Sequence, residues 1–392
     1  SCANTYEIKG TSNVSTLDGR MLYLKILKDN NFKSIDSCDV LHGQFHFQGN
    51  LDSVKMGNIF MDDEPVLPLV LECGDINVKL DDAQQIVSGT PLNDKLFGFF
   101  KKYQQLQNQQ RELVHKHDQA IMNGSDMNVV TQKLNAEAIQ LSEQEDKLIT
   151  NFVTENFDNV LGAGVFFLVT MGNQYPMLSP WIEDIMSKAT ERFKNDPYVK
   201  DYYQKAQENE QIMNAMQQLL LMLLLGVVLV YLIMVAQFQS LKAPFIVMFT
   251  IPLAFTGGFL ALLLSGIEVS VISLIGFVML VGIIVNNGIV LVDYINQQRL
   301  AGMSLREAII DAGVTRLRPI LMTSLTTILG LVVTALAKNA GTALIQPIAL
   351  VCIGGLLYAT LMTLFVVPCM YEILNKKELH QVAESDLTPV DM

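Results

Sequence analysis

Polar residues recur inside long apolar runs in the second half of the chain, where they are the side chains best suited to chemistry. Asn286 and Asp293 follow Gly282 by 4 and 11 residues, which places all three on one helical face with Asn287 beside them. Polar groups cost free energy in hydrocarbon, so they usually face a bundle interior or a water path. This face is therefore a candidate for the passage or relay of an ion or proton.

A second polar face lies on the next apolar segment. Thr323, Thr327 and Thr334 follow Arg316 by 7, 11 and 18 residues, again on one side of a helix. Two polar faces on neighbouring helices predict a buried contact between them. An alternative is that the amides and hydroxyls only hold the helices together. Asp293, near the cytoplasmic end of its segment, is better explained as an interfacial residue than as a catalytic one.

Five apolar segments must position these residues, and each reaches the ~20 residues needed to cross a bilayer. Runs such as LLLMLLLGVVLVYLIMVA have no polar face, which excludes a soluble helical core. A composition of 50% hydrophobic and 17% charged residues also excludes a single soluble enzyme. The predicted membrane helices span residues 217–236, 243–265, 269–294, 318–337 and 345–371.

The charges are unevenly distributed between the two parts of the chain. Residues 1–216 carry a net charge of −11 and the remainder −1, out of a total of −12. An acidic surface repels phosphate and no basic aromatic patch occurs, which excludes a nucleic-acid partner. The first part is therefore predicted to be an acidic domain outside the bilayer, attached to a membrane part that contacts lipid.

The basic residues predict the orientation, because Lys and Arg concentrate in cytoplasmic loops. Seven basic residues follow the first, third and fifth segments, whereas only Lys338 follows the second and fourth. The N-terminal part is therefore predicted to be extracytoplasmic and the C-terminus cytoplasmic. Ser304 and Glu307 form a capping-box pattern that predicts a short amphipathic surface helix over residues 303–313. The seven basic residues are Lys242, Arg299, Arg306, Arg316, Arg318, Lys376 and Lys377.

Three motifs of the membrane part resemble one family of transporters. They are IPLAFTGG at 251–258, VGIIVNNGIVLVDY at 281–294 and RLRPILMTSLTTILG at 316–330. In this order they resemble the last five helices of resistance-nodulation-division (RND) efflux transporters of the hydrophobic/amphiphilic drug-pump branch. The resemblance extends from about residue 208 to residue 377.

The resemblance implies a proton-driven exporter that works as a trimer in the bacterial inner membrane. Arg316 and Thr323 match the family's relay arginine and threonine, whereas Asn286 stands where well-known drug pumps have a lysine. The relay carboxylates belong to a first-half helix that this chain lacks, as do the substrate-binding porter domains. Arg316 would then lack its partners or pair with Asp293 as a structural contact.

The expected function is therefore that of a truncated RND-type transporter, not transport-competent alone. Its partners would be membrane lipid and a complete RND subunit or a homotrimer. A small amphiphilic substrate is expected only within a complete pump.

The N-terminal part is predicted to be α+β, a small antiparallel β-sandwich followed by helices. Segments such as MLYLKIL at 21–27, QFHFQG at 44–49 and INVKL at 76–80 alternate as strands do. From residue 91 the period becomes helical, over 91–123 and 128–156 and in further helices up to 216. Gly162 and Gly164 are predicted to mark one break and residues 175–180 another.

No catalytic or metal site is predicted here, and the chain is not expected to be an enzyme or to need a cofactor. His115 and His117 point apart at a spacing of two, and the cysteines have no metal-ligand spacing. The run Asp62, Asp63 and Glu64 is predicted to be an exposed turn, because the spaced oxygen ligands of a calcium loop are absent. Trp181 is expected to be a packing residue.

The start of the chain, Ser-Cys-Ala, resembles the end of a bacterial lipobox, which makes Cys2 a candidate for lipidation. From residue 6 to about 207, the sequence resembles Bacteroides-type lipoproteins that carry the domain of unknown function 4369. Either a lipoprotein domain replaces the periplasmic region of a transporter, or an envelope lipoprotein with a binding or structural role has gained a transporter tail. In the second case the join could come from recombination, read assembly or engineering.

The predicted domains follow from these two resemblances. The β-rich extracytoplasmic domain spans 1–90 and the helical extracytoplasmic region 91–207. A junction helix at 208–216 leads into the membrane bundle of five helices at 217–377, and the cytoplasmic tail occupies 378–392.

Overall fold

A computed structural model describes residues 5–14, 17–28, 31–81, 85–124, 126–336 and 344–375. The chain forms two compact units, Ser1–Glu210 and Gln211–Met392. Cys2, Ala337, Lys338, Lys376, Lys377 and the predicted tail at 378–392 lie outside the described residues.

The first unit begins with two four-stranded sheets, as expected for a small sandwich. One has the strand order β4-β1-β7-β8 and the other β3-β2-β5-β6. All pairs are antiparallel except β1 with β7, which run parallel from Tyr6 opposite Gly74 to Ser12 opposite Leu80. The strands are β1 Thr5–Ser12, β2 Met21–Lys28, β3 Asn31–Asp39, β4 Gln44–Asn50, β5 Lys55–Met61, β6 Glu64–Leu71, β7 Gly74–Leu80 and β8 Gln85–Ser88.

Alternation of apolar and polar residues builds the core between these sheets. Ile76, Val78 and Leu80 of β7 are buried while the residues between them are exposed. They join Leu24 and Ile59 of the other sheet in one apolar cluster. The two sheets thus share a single hydrophobic core.

The acidic run between β5 and β6 is a turn, as the sequence predicts. Asp62 adopts a left-handed backbone with φ of 55°, and its carboxylate lies 3.3 Å from Nη1 of Arg20. Asp63 lies 3.6 Å from Nζ of Lys25. Both carboxylates are well exposed, so these ion pairs add little to stability.

Helices complete the first unit, and a second apolar cluster joins them to the sheet through Met56 and Val70. Trp181 packs at the edge of this cluster, with its ring centre 6.0 Å from that of Phe166. The helices are α1 Pro91–Met122, α2 Met127–Glu155, α3 Val160–Thr170, α4 Pro180–Lys188 and α5 Glu191–Lys194, followed by α6 Pro197–Phe238, of which only the part up to Glu210 belongs to this unit.

One predicted helix break is wrong. Gly162 and Gly164 lie inside α3, whereas the interruption expected at 175–180 lies in the non-helical stretch 171–179 before α4 begins at Pro180. A Cβ at Gly162 would lie 2.5 Å from the carbonyl oxygen of Asn156, and one at Gly164 would overlap the Met56 side chain. These glycines therefore allow close packing rather than a turn.

The second unit contains the predicted membrane bundle. Within the described parts of the chain, five helices are long and apolar enough to span a membrane, with α7 and α8 together forming one of them. After α6 the helices are α7 Lys242–Met248, α8 Thr250–Ser265, α9 Val271–Leu300, α10 Leu305–Leu336 and α11 Gln346–Leu374.

Two short predicted helices are parts of longer helices in the structure. The predicted junction at 208–216 is helical and lies inside α6, which extends beyond it in both directions. The surface helix expected at 303–313 is the first part of α10, which begins at Leu305. Ser304 precedes the helix, and its Oγ donates a hydrogen bond to Oε2 of Glu307 at 2.9 Å. The helix continues from this part into the apolar segment, and Pro319 does not interrupt it.

Glycines bring α8 and α11 into close contact. A Cβ at Gly354 would lie 2.6 Å from the Gly257 carbonyl oxygen and would overlap the Cβ of Ala261. Small residues on both sides are the usual means by which membrane helices approach each other. The bundle is therefore held at this point by contact between backbones.

Candidate functional site

A cavity of about 730 Å³ lies among α6, α9 and α10 and contains most of the polar residues selected from the sequence. Asn286 and Asn287 of α9 face Thr323 and Thr327 of α10 across it. Apolar residues such as Val230 of α6 form the rest of the wall. The structure thus brings the two predicted polar faces to one place.

A hydrogen-bonded chain of three neutral side chains crosses the bundle beside this cavity. Nδ2 of Asn287 donates to Oγ of Ser324 at 3.3 Å, and Ser324 Oγ lies 2.9 Å from Oγ1 of Thr360. All three residues are buried. These two hydrogen bonds therefore connect the helices α9, α10 and α11.

Ser324 and Thr360 are not among the residues that the sequence patterns single out. Ser324 follows Thr323 directly and lies beside the selected helical face, while Thr360 precedes Thr363 by three residues in an apolar run. The available signal was the presence of several hydroxyl residues inside each of the two membrane segments. Because threonine and serine can also bond to their own helix, that signal alone does not identify a contact.

The threonines at the cavity show this local bonding. Oγ1 of Thr323 donates to the carbonyl oxygen of Ile320 at 3.0 Å, and Oγ1 of Thr327 to that of Thr323 at 2.9 Å. Their protons are thus already used within α10. The hydroxyl oxygens can still accept a hydrogen bond from a group in the cavity.

Arg316 lies outside the cavity lining and packs on an aromatic ring. Its guanidinium carbon is 4.7 Å from the ring centre of Tyr294, whose hydroxyl donates to Oδ2 of Asp311 at 3.3 Å. Its Nε is buried and has no hydrogen-bond partner among the described residues. The cation is thus stabilised by a cation–π contact.

The alternative pairing of Arg316 with Asp293 is not observed in the part of the chain that the structure describes. Oδ2 of Asp293 instead accepts a hydrogen bond from Nε2 of Gln297 at 2.8 Å, and Asp293 is exposed. The two residues lie near the same end of the bundle without an ion pair. Asp293 therefore does not serve as the structural counter-ion of Arg316.

The cavity itself has no ionisable lining. Its polar residues are amides and hydroxyls, none of which changes charge between about pH 4 and pH 10. Among the described residues, no group of three or more His, Cys, Asp or Glu is placed to hold a metal ion. The site can accept and donate hydrogen bonds but cannot take up a proton as a charge.

Comparison with known proteins identifies two regions of similarity. The model of the AcrB/AcrD/AcrF family matches residues 177–375, half of the chain. A domain of unknown function, DUF4369, matches residues 6–96. The first match begins at residue 177, ahead of the residue 208 expected from the motifs.

Individual relatives cover somewhat less than half of the chain. The swarming motility protein SwrC of Bacillus subtilis is 41% identical over 166 residues, which are 42% of this chain and 16% of that protein. The cobalt-zinc-cadmium resistance protein CzcA of Cupriavidus metallidurans is 38% identical over 181 residues, 46% of this chain and 17% of that protein. The chain thus spans about a sixth of the length of these relatives.

A solved structure shows the same partial overlap. The crystal structure of a heavy metal efflux pump is 32% identical and covers 43% of this chain and 16% of that one, with a TM-score of 0.38.

Proposed function

Because this chain belongs to the AcrB/AcrD/AcrF family, we propose that its membrane unit is the last-five-helix part of an RND-type efflux transporter that does not transport alone. The observation that supports this is the cavity where Asn286 and Thr323 meet, which lacks any group that titrates. Proton coupling needs a charge that changes within the membrane and favours one conformation over another. The amides and hydroxyls of this cavity cannot supply that charge.

Three charged residues of the bundle lie outside this cavity and do not fill this role. Asp293 is exposed and bonded to Gln297, and Arg316 lies on the Tyr294 ring. Glu372, near the end of α11, is also exposed. Neither carboxylate lines the cavity, so neither supplies the charge that the cavity lacks.

A partner that supplies a carboxylate to the cavity would complete the relay. The most apolar windows of α6 and α10 are only 6% and 11% buried, compared with 44–56% in the other spanning helices. Lipid or further transporter helices must cover these faces. We propose a complete RND subunit or a homotrimer as the protein partner, with a small amphiphilic substrate only in that assembly.

Transport assays test the proposal directly. In a pump-deficient bacterium, drug accumulation should be the same with this chain and with its Arg316→Ala variant, because no charge-changing relay exists for Arg316 to serve. Arg318→Ala, an exposed arginine two residues further along α10, is the matched control. Proton-dependent export that Arg316→Ala abolishes and Arg318→Ala retains would contradict the proposal.

We further propose that this protein resides in the bacterial inner membrane, with its first unit periplasmic and its C-terminus cytoplasmic. The seven-to-one distribution of basic residues between alternate loops supports this orientation. Lipidation of Cys2 would attach the first unit to the outer face of the same membrane.

Cysteine labelling tests the orientation. With the native cysteines replaced by alanine, an impermeant maleimide added to intact spheroplasts should label Gln109→Cys and leave Arg306→Cys unlabelled until the membrane is opened. Both positions are exposed on their helices, so reactivity depends on the side of the membrane. Labelling of Arg306→Cys in intact spheroplasts would reverse the topology.

A second candidate function is that of an envelope lipoprotein with a binding or structural role, joined to a transporter tail. The DUF4369 match over residues 6–96 and the separate compact first unit favour it. No enzymatic activity is proposed for either unit. If the first unit binds a ligand whether or not transport occurs, this second function gains support.

A further inference from the structure

A cleft of about 440 Å³ opens beside the edge strands β3 and β4 of the first unit. Ligand pockets usually have volumes of about 300–1,000 Å³, so a small molecule fits this cleft. It is lined by Tyr6, Ile26, Ile35, Asp36, Gln48, Gly49, Asn50, Leu51, Asp52, Lys55 and Leu71. Its wall is therefore partly aliphatic and partly charged.

The hydroxyl of a largely buried tyrosine is available at this cleft. Tyr6 lines the cleft and is only 4% exposed as a residue, and no hydrogen bond joins its hydroxyl to another residue that the structure describes. It lies over Gly49, its partner in the β1–β4 pair, where a Cβ would be 2.6 Å from the Tyr6 oxygen. Gly49 thus leaves room for a hydroxyl whose hydrogen bonds remain available to a ligand.

Asp36 provides a negative charge next to this hydroxyl. Burial, and then the charge of Asp36, raise the pKa of Tyr6, so the phenol stays protonated. One oxygen of Asp36, Oδ1, accepts from the backbone N–H of Ser37 at 2.8 Å. A carboxylate has about four acceptor positions, so others remain for a ligand.

A β-bulge shapes the same wall. Leu24 pairs with Asp36 and Lys25 with Ser34, which leaves Ile35 as the extra residue of β3. Bulges redirect side chains and are frequent beside binding sites. Ile35 is 42% exposed and provides an apolar surface next to Asp36.

The charges of the cleft select the ligand class. Asp36 and Asp52 outnumber Lys55, and none of the three forms an ion pair within the described parts of the chain. Ile26, Ile35, Leu51 and Leu71 add an aliphatic wall. We propose that this cleft binds a small amphiphilic amine, with its ammonium group between Asp36 and the Tyr6 hydroxyl and its apolar body on the aliphatic wall.

Equilibrium dialysis of the full chain in lipid nanodiscs tests the site, with hexylammonium as the probe. Hexylammonium should show one saturable site per chain, whereas 1-hexanol and hexanoate should only partition into lipid. Asp36→Asn should weaken the saturable binding about tenfold or more, because it removes a charge-assisted hydrogen bond. Tyr6→Phe should weaken it by a smaller factor, since it removes a single hydroxyl.

Asp39→Asn is the matched control, because Asp39 is an exposed carboxylate of the same strand outside the cleft. It should leave the affinity for hexylammonium unchanged. Trp181 fluorescence reports whether each variant is folded, and Asp52→Asn replaces Asp36→Asn if the latter unfolds the unit. A failure of these amine tests leaves the proposed transporter role intact, since that role depends on the membrane unit.

Three results would overturn the proposal. The first is the absence of any saturable hexylammonium binding. The second is saturable binding that Asp36→Asn, or Asp52→Asn in its place, and Tyr6→Phe leave unchanged. The third is equally tight binding of 1-hexanol, which would mean that the cleft accepts apolar molecules without recognising charge.

Discussion

Asn93→Ala should destabilise the first unit by about 3 kcal/mol or more, because it removes all the hydrogen bonds of a fully buried side-chain amide. Oδ1 of Asn93 accepts from the backbone N–H of Val70 at 2.8 Å, and its Nδ2 donates to the Val70 carbonyl oxygen at 2.8 Å. Nδ2 also donates to Oγ1 of Thr90 at 2.8 Å. Urea unfolding followed by Trp181 fluorescence measures the loss in the full chain, because Trp181 is its one tryptophan.

The size of this effect follows from the position of β6. It is an edge strand, so the outer N–H and C=O of Val70 have no strand to pair with, and the amide of Asn93 takes that place. Without the amide, both backbone groups are buried and unpaired. Asn108→Ala, an exposed site on the same helix, should change the stability by less than about 0.5 kcal/mol. Equal effects at the two positions would show that Asn93 does not join α1 to the sheet.

Gly354→Leu should lower the melting temperature of the membrane unit by about 10 °C, the shift expected for a loss of ~3 kcal/mol in a unit of this size. Any side chain at this position meets the Gly257 carbonyl oxygen and Ala261 of α8. The backbone oxygen of Gly257 and the Cβ of Ala261 are fixed to the backbone of α8 and cannot rotate away as a long side chain can. The helices α8 and α11 must therefore separate. Thermal loss of the monodisperse peak in size-exclusion chromatography of the detergent-solubilised chain measures this change.

Gly330→Leu is the control for this substitution. Gly330 lies within α10, and a Cβ there meets no atom within 4 Å. The same added side chain should therefore leave the melting temperature nearly unchanged. If Gly354→Leu melts like Gly330→Leu, the close approach of α8 and α11 does not stabilise the bundle.

Segment length and hydropathy were sufficient to predict the membrane helices but not their ends. The helix α6 begins at Pro197, twenty residues before the apolar segment that identified it, and α10 includes residues expected to form a separate surface helix. Hydropathy reports where a chain can enter the bilayer. Helical backbone continues wherever nothing interrupts its hydrogen bonds, so the two boundaries need not coincide.

The polar faces of α9 and α10 could be predicted because each repeats along one helix. The contact from Ser324 to Thr360 could not, because it depends on how α10 and α11 face each other. Similarly, alternation predicts the strands but not their neighbours, and the parallel pair of β1 with β7 was unforeseen. Gly162 and Gly164 were mistaken for a break because packing against Asn156 and Met56 leaves the same sequence signal as a turn.

The most direct test of the proposed function is proton movement by the purified chain in liposomes under an imposed pH gradient. The account predicts that an amphiphilic drug causes no proton flux beyond that of protein-free liposomes, because the cavity at Asn286, Asn287 and Thr323 contains no titratable group. Arg316→Ala should then behave like the unmodified chain. Drug-stimulated proton flux that Arg316→Ala abolishes would contradict the account, since it would require a complete relay within these 392 residues.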